Sequence, residues 1–263
     1  MLTLWFAAAI GGGLGCGLAG FLLAALRMPF LGVTLAHAAL AGAVWSSRFG
    51  CSPIWSAAAA AIASAVVLGP LADWLEAEDQ QLATMLFTVS LGVAFLGLAR
   101  TDGAQAEAFA LLWGSLLLVS WRETALLWTG VIAVLLLLVA GKRLWPLLLL
   151  DPATAWLSGL PARPLRYLLI LFSAILITLS LHLIGGLMLY SLVSNPPLAA
   201  GRRTSSLSQT LILTLAYAAV ASIGGLLLSL WQDWPPGACI VICSAALPML
   251  PAIPLKRTLE APS

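Results

Sequence analysis

Long apolar runs separated by short polar ones set the limits on what this chain can fold into. Of the 263 residues, 62% are hydrophobic and only 8% are charged. A soluble globule of this size leaves much of its surface in water and cannot hide so many apolar side chains. In lipid every backbone amide needs a partner within the protein, so the spans are helices or a closed barrel. The runs here are roughly 16 to 25 residues long, whereas barrel strands alternate over about ten. The sequence therefore predicts an all-α, polytopic transmembrane helical bundle.

The apolar runs divide the chain into candidate membrane spans and leave no room for a separate soluble domain. Residues 1–263 are therefore predicted to form a single transmembrane domain. Two spans are weak, because 104–121 carries Gln105 and Glu107 and 185–200 is short for a bilayer. The candidate spans are 2–26, 28–47, 53–72, 82–99, 104–121, 124–141, 167–184, 185–200, 207–231 and 235–255.

Positive charge orients these spans, because short loops rich in Lys and Arg stay in the cytoplasm. The loop 142–166 is the most basic and is predicted to be cytoplasmic. Smaller basic pairs at 202–203 and 256–257 are expected on the same side, which requires four spans after the loop. The basic residues of the loop are Lys142, Arg143, Arg163 and Arg166.

The first half of the chain leaves two arrangements open. If 104–121 crosses the bilayer, there are ten spans, the N-terminus is inside, and only Arg27 and Arg122 of the 12 basic residues lie outside. If that segment only dips into the bilayer, there are nine spans and the N-terminus is outside, together with Arg48, Arg100 and Arg122. The positive-inside count favours the ten-span arrangement by a single charge.

A short helix is predicted inside the basic loop, at about 151–160. Asp151 and Pro152 are typical of a helix start, with a carboxylate at the N-cap and proline at the first helical position. Gly159, followed closely by proline, is typical of a helix end. Ala155 and Trp156 lie on its apolar face. Such a helix either lies in the lipid interface or docks into a cytoplasmic partner.

His37 is the only ionisable residue deep within a confidently assigned span. Ionisable groups in a membrane are costly and usually functional. One interpretation is structural, with the imidazole hydrogen-bonded to a helix carbonyl or to Thr34. The other is that His37 lines a polar path or touches a transition-metal ion, since neutral imidazole suits such metals. A single histidine cannot hold a metal tightly, which suits a conduit from which an ion must also leave.

Sequence motifs for catalysis are absent. The chain contains no HExxH, no GxSxG, no phosphate-binding loop and no pair of aspartates within its spans. An intramembrane protease and a proton-driven antiporter are therefore disfavoured, and the chain is not expected to be an enzyme. If it transports a solute, the energy should come from another subunit.

Five segments together resemble the zinc/manganese/iron class of ATP-binding-cassette permeases. In that family an arginine precedes a helix with a histidine-containing run, a short Leu-Leu-Phe-Gly-Ser element follows, and an Asp-Pro helix contacts the ATPase. The matches occur in the family's order and cover almost the whole chain. They are Arg27 to Gly42, Leu111 to Ser115, Asp151 to Gly159, Gly185 to Ala200 and Gly225 to Ala238.

This resemblance implies a type II-like importer permease of nine or ten spans in the inner membrane of a prokaryote. The permease would be a homodimer embedded in lipid, with ATP bound and hydrolysed by a separate cytoplasmic subunit. An extracytoplasmic metal-binding protein would deliver a divalent metal ion as cargo. No permanently bound cofactor and no nucleic-acid partner are expected.

The resemblance also implies roles for particular residues. His37 and Thr34 would line the translocation path, with His37 touching the metal weakly and transiently. Arg27 and Arg122 would face outward and dock the delivery protein. The residues implied to couple the permease to the ATPase are Asp151, Pro152, Ala155, Trp156 and Gly159.

One position departs from the family pattern. Members commonly carry an aspartate four residues before the histidine, on the same helix face, whereas this chain has Val33. The identity of the metal therefore stays open. Two alternatives also stay open, namely a permease for siderophore or cobalamin-like ligands and a non-transporting membrane scaffold.

Overall fold

The computed structural model describes residues 1–75, 78–100, 119–150 and 152–250, and the secondary structure in these ranges is helical throughout. The eleven helices of this part of the chain are α1 (Leu2–Ala25), α2 (Leu31–Phe49), α3 (Pro53–Leu75), α4 (Asp79–Arg100), α5 (Trp121–Ala140), α6 (Leu144–Leu150), α7 (Pro152–Leu157), α8 (Ala162–Ile184), α9 (Gly186–Gly201), α10 (Leu207–Gln232) and α11 (Pro236–Met249).

The helices confirm a multi-pass membrane protein. Six of them are long and apolar enough to cross a bilayer, namely α1, α4, α5, α8, α10 and the first 20 residues of α3. The apolar parts of α2 and α11 are shorter, and α9 has 16 residues. The candidate span 104–121 lies outside the described residues up to 118.

Helix α1 is enclosed by the other helices, with 78% of its apolar window buried. Its glycines admit neighbouring helices to van der Waals contact with the backbone. A methyl group at Gly15 would lie 2.8 Å from Ser180 Oγ of α8, and one at Gly17 would lie 2.8 Å from the Ala218 Cβ of α10. Small residues bring helices together where lipid supplies no hydrophobic drive between them.

Helices α1 and α9 approach each other closely. A methyl group at Gly20 would collide with the carbonyl oxygen of Val193. Helix α9 contains Pro196 and Pro197, which have no N–H to return to the carbonyls of Leu192 and Val193, four residues earlier. The Val193 carbonyl therefore lacks its intrahelical hydrogen-bond donor. It points at Gly20, where only glycine fits because it has no Cβ.

Helix α4 lies at the edge of the bundle, with 28% of its window buried. Two side chains of α2 donate hydrogen bonds to its backbone. Thr34 Oγ1 lies 2.8 Å from the Ala83 carbonyl, and Trp45 Nε1 lies 2.9 Å from the Val93 carbonyl. These bonds join α2 and α4 side by side in parallel.

One end of the bundle is marked by an ion pair. Asp79 at the start of α4 pairs with Arg166 near the start of α8 at 2.5 Å. Arg166 also donates to Met28 Sδ, in the turn between α1 and α2, at 3.3 Å. Arg27 lines the same cleft as this ion pair. The α1–α2 turn, the start of α4 and the end of the basic loop therefore meet at one end.

The opposite end contains the starts of α1 and α5. Trp128 Nε1 of α5 donates to the Ala7 carbonyl of α1 at 3.1 Å. Helix α5 begins three residues earlier than the candidate span 124–141, because Ser120 and Glu123 form a capping box. Arg122 lies at the start of α5, at this end of the bundle, whereas Arg27 lies at the end marked by the ion pair. The prediction that Arg27 and Arg122 lie on the same side is therefore wrong. The charge count that favoured it differed by one residue, whereas the helix contacts settle the placement.

The basic loop contains more structure than expected. Helix α6 (Leu144–Leu150) occupies a stretch that the sequence analysis left as loop. Helix α7 begins at Pro152, as predicted, and ends at Leu157. The Leu160 N–H bonds the Ala155 carbonyl at 3.2 Å, and Gly159 between them has a φ of +77°. This is a Schellman end, which favours glycine because L side chains rarely adopt that φ.

Candidate functional site

His37 lies on α2, facing α9. Its Nδ1 is 2.9 Å from the Val33 carbonyl one turn earlier. The hydroxyl of Tyr190 on α9 lies 2.8 Å from Nδ1 and 3.3 Å from Nε2. The imidazole is therefore bonded to its own helix and to a phenol that is 153 residues away in sequence.

The position of the His37 lone pair depends on the tautomer of the ring. A carbonyl can only accept, so a hydrogen bond to Val33 requires the ring proton on Nδ1 and leaves the lone pair on Nε2. In the other tautomer the Tyr190 hydroxyl would donate to Nδ1 instead. The hydroxyl is within 3.3 Å of both ring nitrogens, and because the two ring planes are parallel it lies over the face of the imidazole.

Aromatic rings enclose the pair on two sides. The His37 ring stacks on Tyr190 with centroids 5.4 Å apart and planes at 2°. The edge of Phe87 from α4 meets the imidazole at 4.7 Å, and Phe30 packs on Phe87 at 5.5 Å. All four rings are half-buried. The site is thus a cluster of four aromatic rings between α2, α4 and α9, each of them partly exposed.

Thr34 is placed differently from the sequence expectation. Its side chain is fully buried, and its hydroxyl donates to the Ala83 carbonyl of α4 rather than to His37. Its contribution in this structure is to fix α4, and therefore Phe87, beside the imidazole.

The ring cluster contains one imidazole that could contact an ion, with a neutral phenol oxygen over its face. In the described ranges, no group of three or more His, Cys, Asp and Glu side chains could hold a metal together. No described carboxylate hydrogen-bonds or pairs with His37 or Tyr190. Such a site could contact a passing cation but could not retain one.

The described part of the predicted coupling segment is a short surface element. Helix α7 contacts α6 and α8. Ala155 is fully buried, whereas Leu157 is 76% exposed and Gly159 is exposed beyond the helix end. Asp151 lies outside the described residues. The structure therefore gives a short helix with a packed inner face and an apolar residue on its free side.

A cleft of about 550 Å³ opens beside this element, at the end marked by the Asp79–Arg166 ion pair. It lies between the α1–α2 turn and the start of α4 on one side and α6 and α8 on the other. Its charged lining residues are Arg27, Glu78, Asp79, Arg163 and Arg166.

Sequence reasoning found His37 but missed Tyr190 and Phe87. Both stand in apolar runs where an aromatic residue is expected for packing alone. The available signal was weak, namely a phenol hydroxyl within a membrane segment, which needs a hydrogen-bond partner when buried.

Comparison with known proteins places these features in context. Residues 1–253 match the ABC 3 transport family. The chain is 29% identical over 240 residues to the high-affinity zinc uptake system membrane protein ZnuB of Haemophilus influenzae, covering 88% of both chains. It is 26% identical over 245 residues to the manganese transport system membrane protein MntC of Halalkalibacterium halodurans, covering 91% of this chain and 82% of that protein.

A solved structure shares the fold. PsaBC from Streptococcus pneumoniae in complex with Fab superposes with a TM-score of 0.82 at 19% sequence identity. The match covers 94% of this chain and 89% of that chain.

Proposed function

Because the chain belongs to the ABC 3 transport family, we propose that it is the membrane permease of an importer for divalent metal ions. The match of residues 1–253 to that family carries the proposal, and relatives named for zinc and manganese transport support the cargo. ATP is hydrolysed in a separate subunit, and the cycle alternates access between the two sides of the membrane.

The proposed path passes His37. A weak, neutral site suits a conduit, because an ion that binds must also leave. The imidazole contacts the ion at its lone-pair nitrogen. Thr34 supports the path indirectly through its bond to α4.

The proposed coupling element is the segment 151–160, which includes Asp151, Pro152, Ala155, Trp156 and Gly159. The buried Ala155 and the Schellman end make α7 a short, rigid helix. Its neighbours α6 and α8 transmit movement of the ATPase to the ion-pair end of the bundle.

Placing the basic loop in the cytoplasm orients the described helices. The ends marked by Arg27 and Asp79 are then inside, and the starts of α1 and α5 are outside. This favours nine spans with the N-terminus outside, in the inner membrane of a prokaryote. Arg122, but not Arg27, then faces the metal-delivery protein. A homodimer follows from the family resemblance.

The test is uptake of zinc and manganese in cells that lack their own importers. We expect His37→Gln to abolish most uptake, because it removes the imidazole from the path. His182→Gln is the matched control, since His182 is the other histidine of the chain and lies near the outer end of α8. Equal uptake by His37→Gln and the unmodified protein would make His37 structural.

The same cells give a second readout. A tagged permease should capture its ATPase subunit, and replacing Asp151–Gly159 with a Gly/Ser linker should lose it while the permease stays in the membrane. Retention of the ATPase by that variant would remove the coupling role, and absence of any ATPase from the unmodified preparation would favour the scaffold alternative.

A further inference from the structure

We propose that the ion pair between Asp79 and Arg166 is the link through which the coupling element moves His37. The inference rests on the proposed function, in which ATPase movement enters at α7 and His37 lines the path. It starts from the Arg166 guanidinium, which pairs with Asp79 at 2.5 Å and donates to Met28 Sδ at 3.3 Å. One side chain of α8 therefore contacts two segments that lead to the ring cluster.

Both contacts of Arg166 lie at the starts of the helices that hold the imidazole. Met28 is buried in the turn before α2, and His37 lies within the first two turns of that helix. Asp79 is the first residue of α4, and Phe87 follows eight residues later. Positions i and i+8 belong to the same stripe of a helix. The stripe of α4 that begins at the ion pair therefore ends at the ring that meets the imidazole edge-on, with centroids 4.7 Å apart.

Helices α2 and α4 are joined so that they move together. Thr34 Oγ1 donates to the Ala83 carbonyl at 2.8 Å, and Trp45 Nε1 donates to the Val93 carbonyl at 2.9 Å. The packing of α4 within the described ranges is mostly against α2. A displacement of the start of α4 therefore carries His37 with it and does not separate the two helices.

On the other side of the ion pair, Arg166 is close to the coupling element. Helix α8 begins at Ala162, about one turn before Arg166, and α7 ends at Leu157. Helix α7 contacts α8, and the Leu160 N–H bonds the Ala155 carbonyl at 3.2 Å, which tightens the connection between them. Movement of α7 therefore carries the start of α8, and Arg166 with it.

The surroundings of the ion pair leave room for this movement. A cleft of about 550 Å³ lies between the start of α8 and the α1–α2 turn. The side chains of Arg166 and Asp79 are 38% and 25% exposed, so water screens the two charges and the pair can break and re-form. When the start of α8 moves, Arg166 draws the α2–α4 pair along, and His37 shifts relative to Tyr190 on α9.

The experiment measures metal uptake and ATP hydrolysis together, in liposomes that contain the full permease with its ATPase and are supplied with the delivery protein. Zinc and manganese are the probes. Arg166→Gln should lower the number of ions taken up per ATP hydrolysed about fivefold, within the range by which residues of a coupling network change the coupling between two sites. ATP hydrolysis should continue, because the segment 151–160 is unchanged.

Three further variants sharpen the result. Asp79→Asn removes the same ion pair from the α4 side, so it should lower the ratio as well, and it decides the question if Arg166→Gln does not assemble with the ATPase. Arg166→Lys keeps the positive charge and should keep most of the uptake per ATP. Arg143→Gln is the matched control, because it removes the same charge from an exposed residue of the same basic loop, and its ratio should not change.

The outcomes separate this inference from the proposed function. An unmodified complex that takes up neither metal overturns both. An unchanged number of ions per ATP in Arg166→Gln and in Asp79→Asn leaves the permease standing and removes the ion pair from the coupling. The same conclusion holds if uptake and hydrolysis fall by the same factor, since that shows a loss of intact protein and not a loss of transmission.

Discussion

Helices α1 and α4 have similar length and are both apolar, but their surroundings are opposite. They contain 24 and 22 residues, and both are apolar enough to span a bilayer. Yet 78% of the α1 window is buried in protein, against 28% for α4. Hydropathy therefore identifies a membrane helix without saying whether it faces lipid or protein. The distinguishing feature is the residue size, because glycines line α1 and long side chains cover α4.

The two helices are also held differently. Helix α1 is fixed by direct backbone approach, as between Gly20 and Val193. Helix α4 has a sparser contact surface and is fixed by directed bonds, from Thr34, Trp45 and Arg166. The stability of the packing around α1 should therefore be sensitive to added side-chain volume. The stability of the packing around α4 should be sensitive to the loss of hydrogen-bond donors.

The largest expected effect is from adding one methyl group to α1. Gly20→Ala should destabilise the protein by about 3 kcal/mol, the upper range for overpacking, because the obstacle is the Val193 backbone rather than a mobile side chain. Thermal unfolding in detergent measures it. The matched change in α4, Gly92→Ala, meets nothing within 4 Å and should be neutral or slightly stabilising. Equal effects would mean that the two helices are packed alike.

An intermediate effect is expected from removing a donor to α4. Trp45→Phe keeps an aromatic ring but loses the indole N–H that bonds the Val93 carbonyl at 2.9 Å. We expect a loss of about 1 kcal/mol, typical of an interhelical hydrogen bond in a membrane. Trp231→Phe is the control, since Trp231 is 78% exposed. Unfolding midpoints that match between the two variants would remove the role of this bond.

The smallest effect is expected at the ion pair. Asp79 and Arg166 are 25% and 38% exposed, so solvent screens their attraction. A double-mutant cycle with Asp79→Asn and Arg166→Gln should give a coupling free energy of about 0.2–1 kcal/mol. High salt should shrink that value. A coupling energy that salt leaves unchanged would show that the pair is shielded from solvent.

Much of the fold follows from the sequence because apolar runs end at charges or turn residues. The candidate spans 2–26 and 207–231 differ from α1 and α10 by one residue at most. Pro152 and Gly159 delimit α7 as predicted. These features depend on local chemistry, which a sequence displays directly.

The missed features depend on contacts between distant residues. Tyr190 meets His37 across 153 positions, and nothing in either local pattern indicates the pair. The end of the bundle at which Arg27 lies relative to the basic loop depended on whether 104–121 crosses, which a difference of one charge could not settle. The Arg166–Met28 contact shows that the α1–α2 turn lies at the same end as the start of α8. Helix α6 was missed because a short apolar run next to charges is typical of either a loop or a helix.

The paired prolines of α9 have a mechanical consequence. Two missing hydrogen bonds at the carbonyls of Leu192 and Val193 lower the energy needed to bend the helix there. Tyr190 stands on one side of this compliant point, and Arg203, which bonds the Leu247 carbonyl of α11, follows on the other. Helix α9 therefore has a flexible point between Tyr190 and its C-terminal end, and this point lies against the backbone of α1 at Gly20.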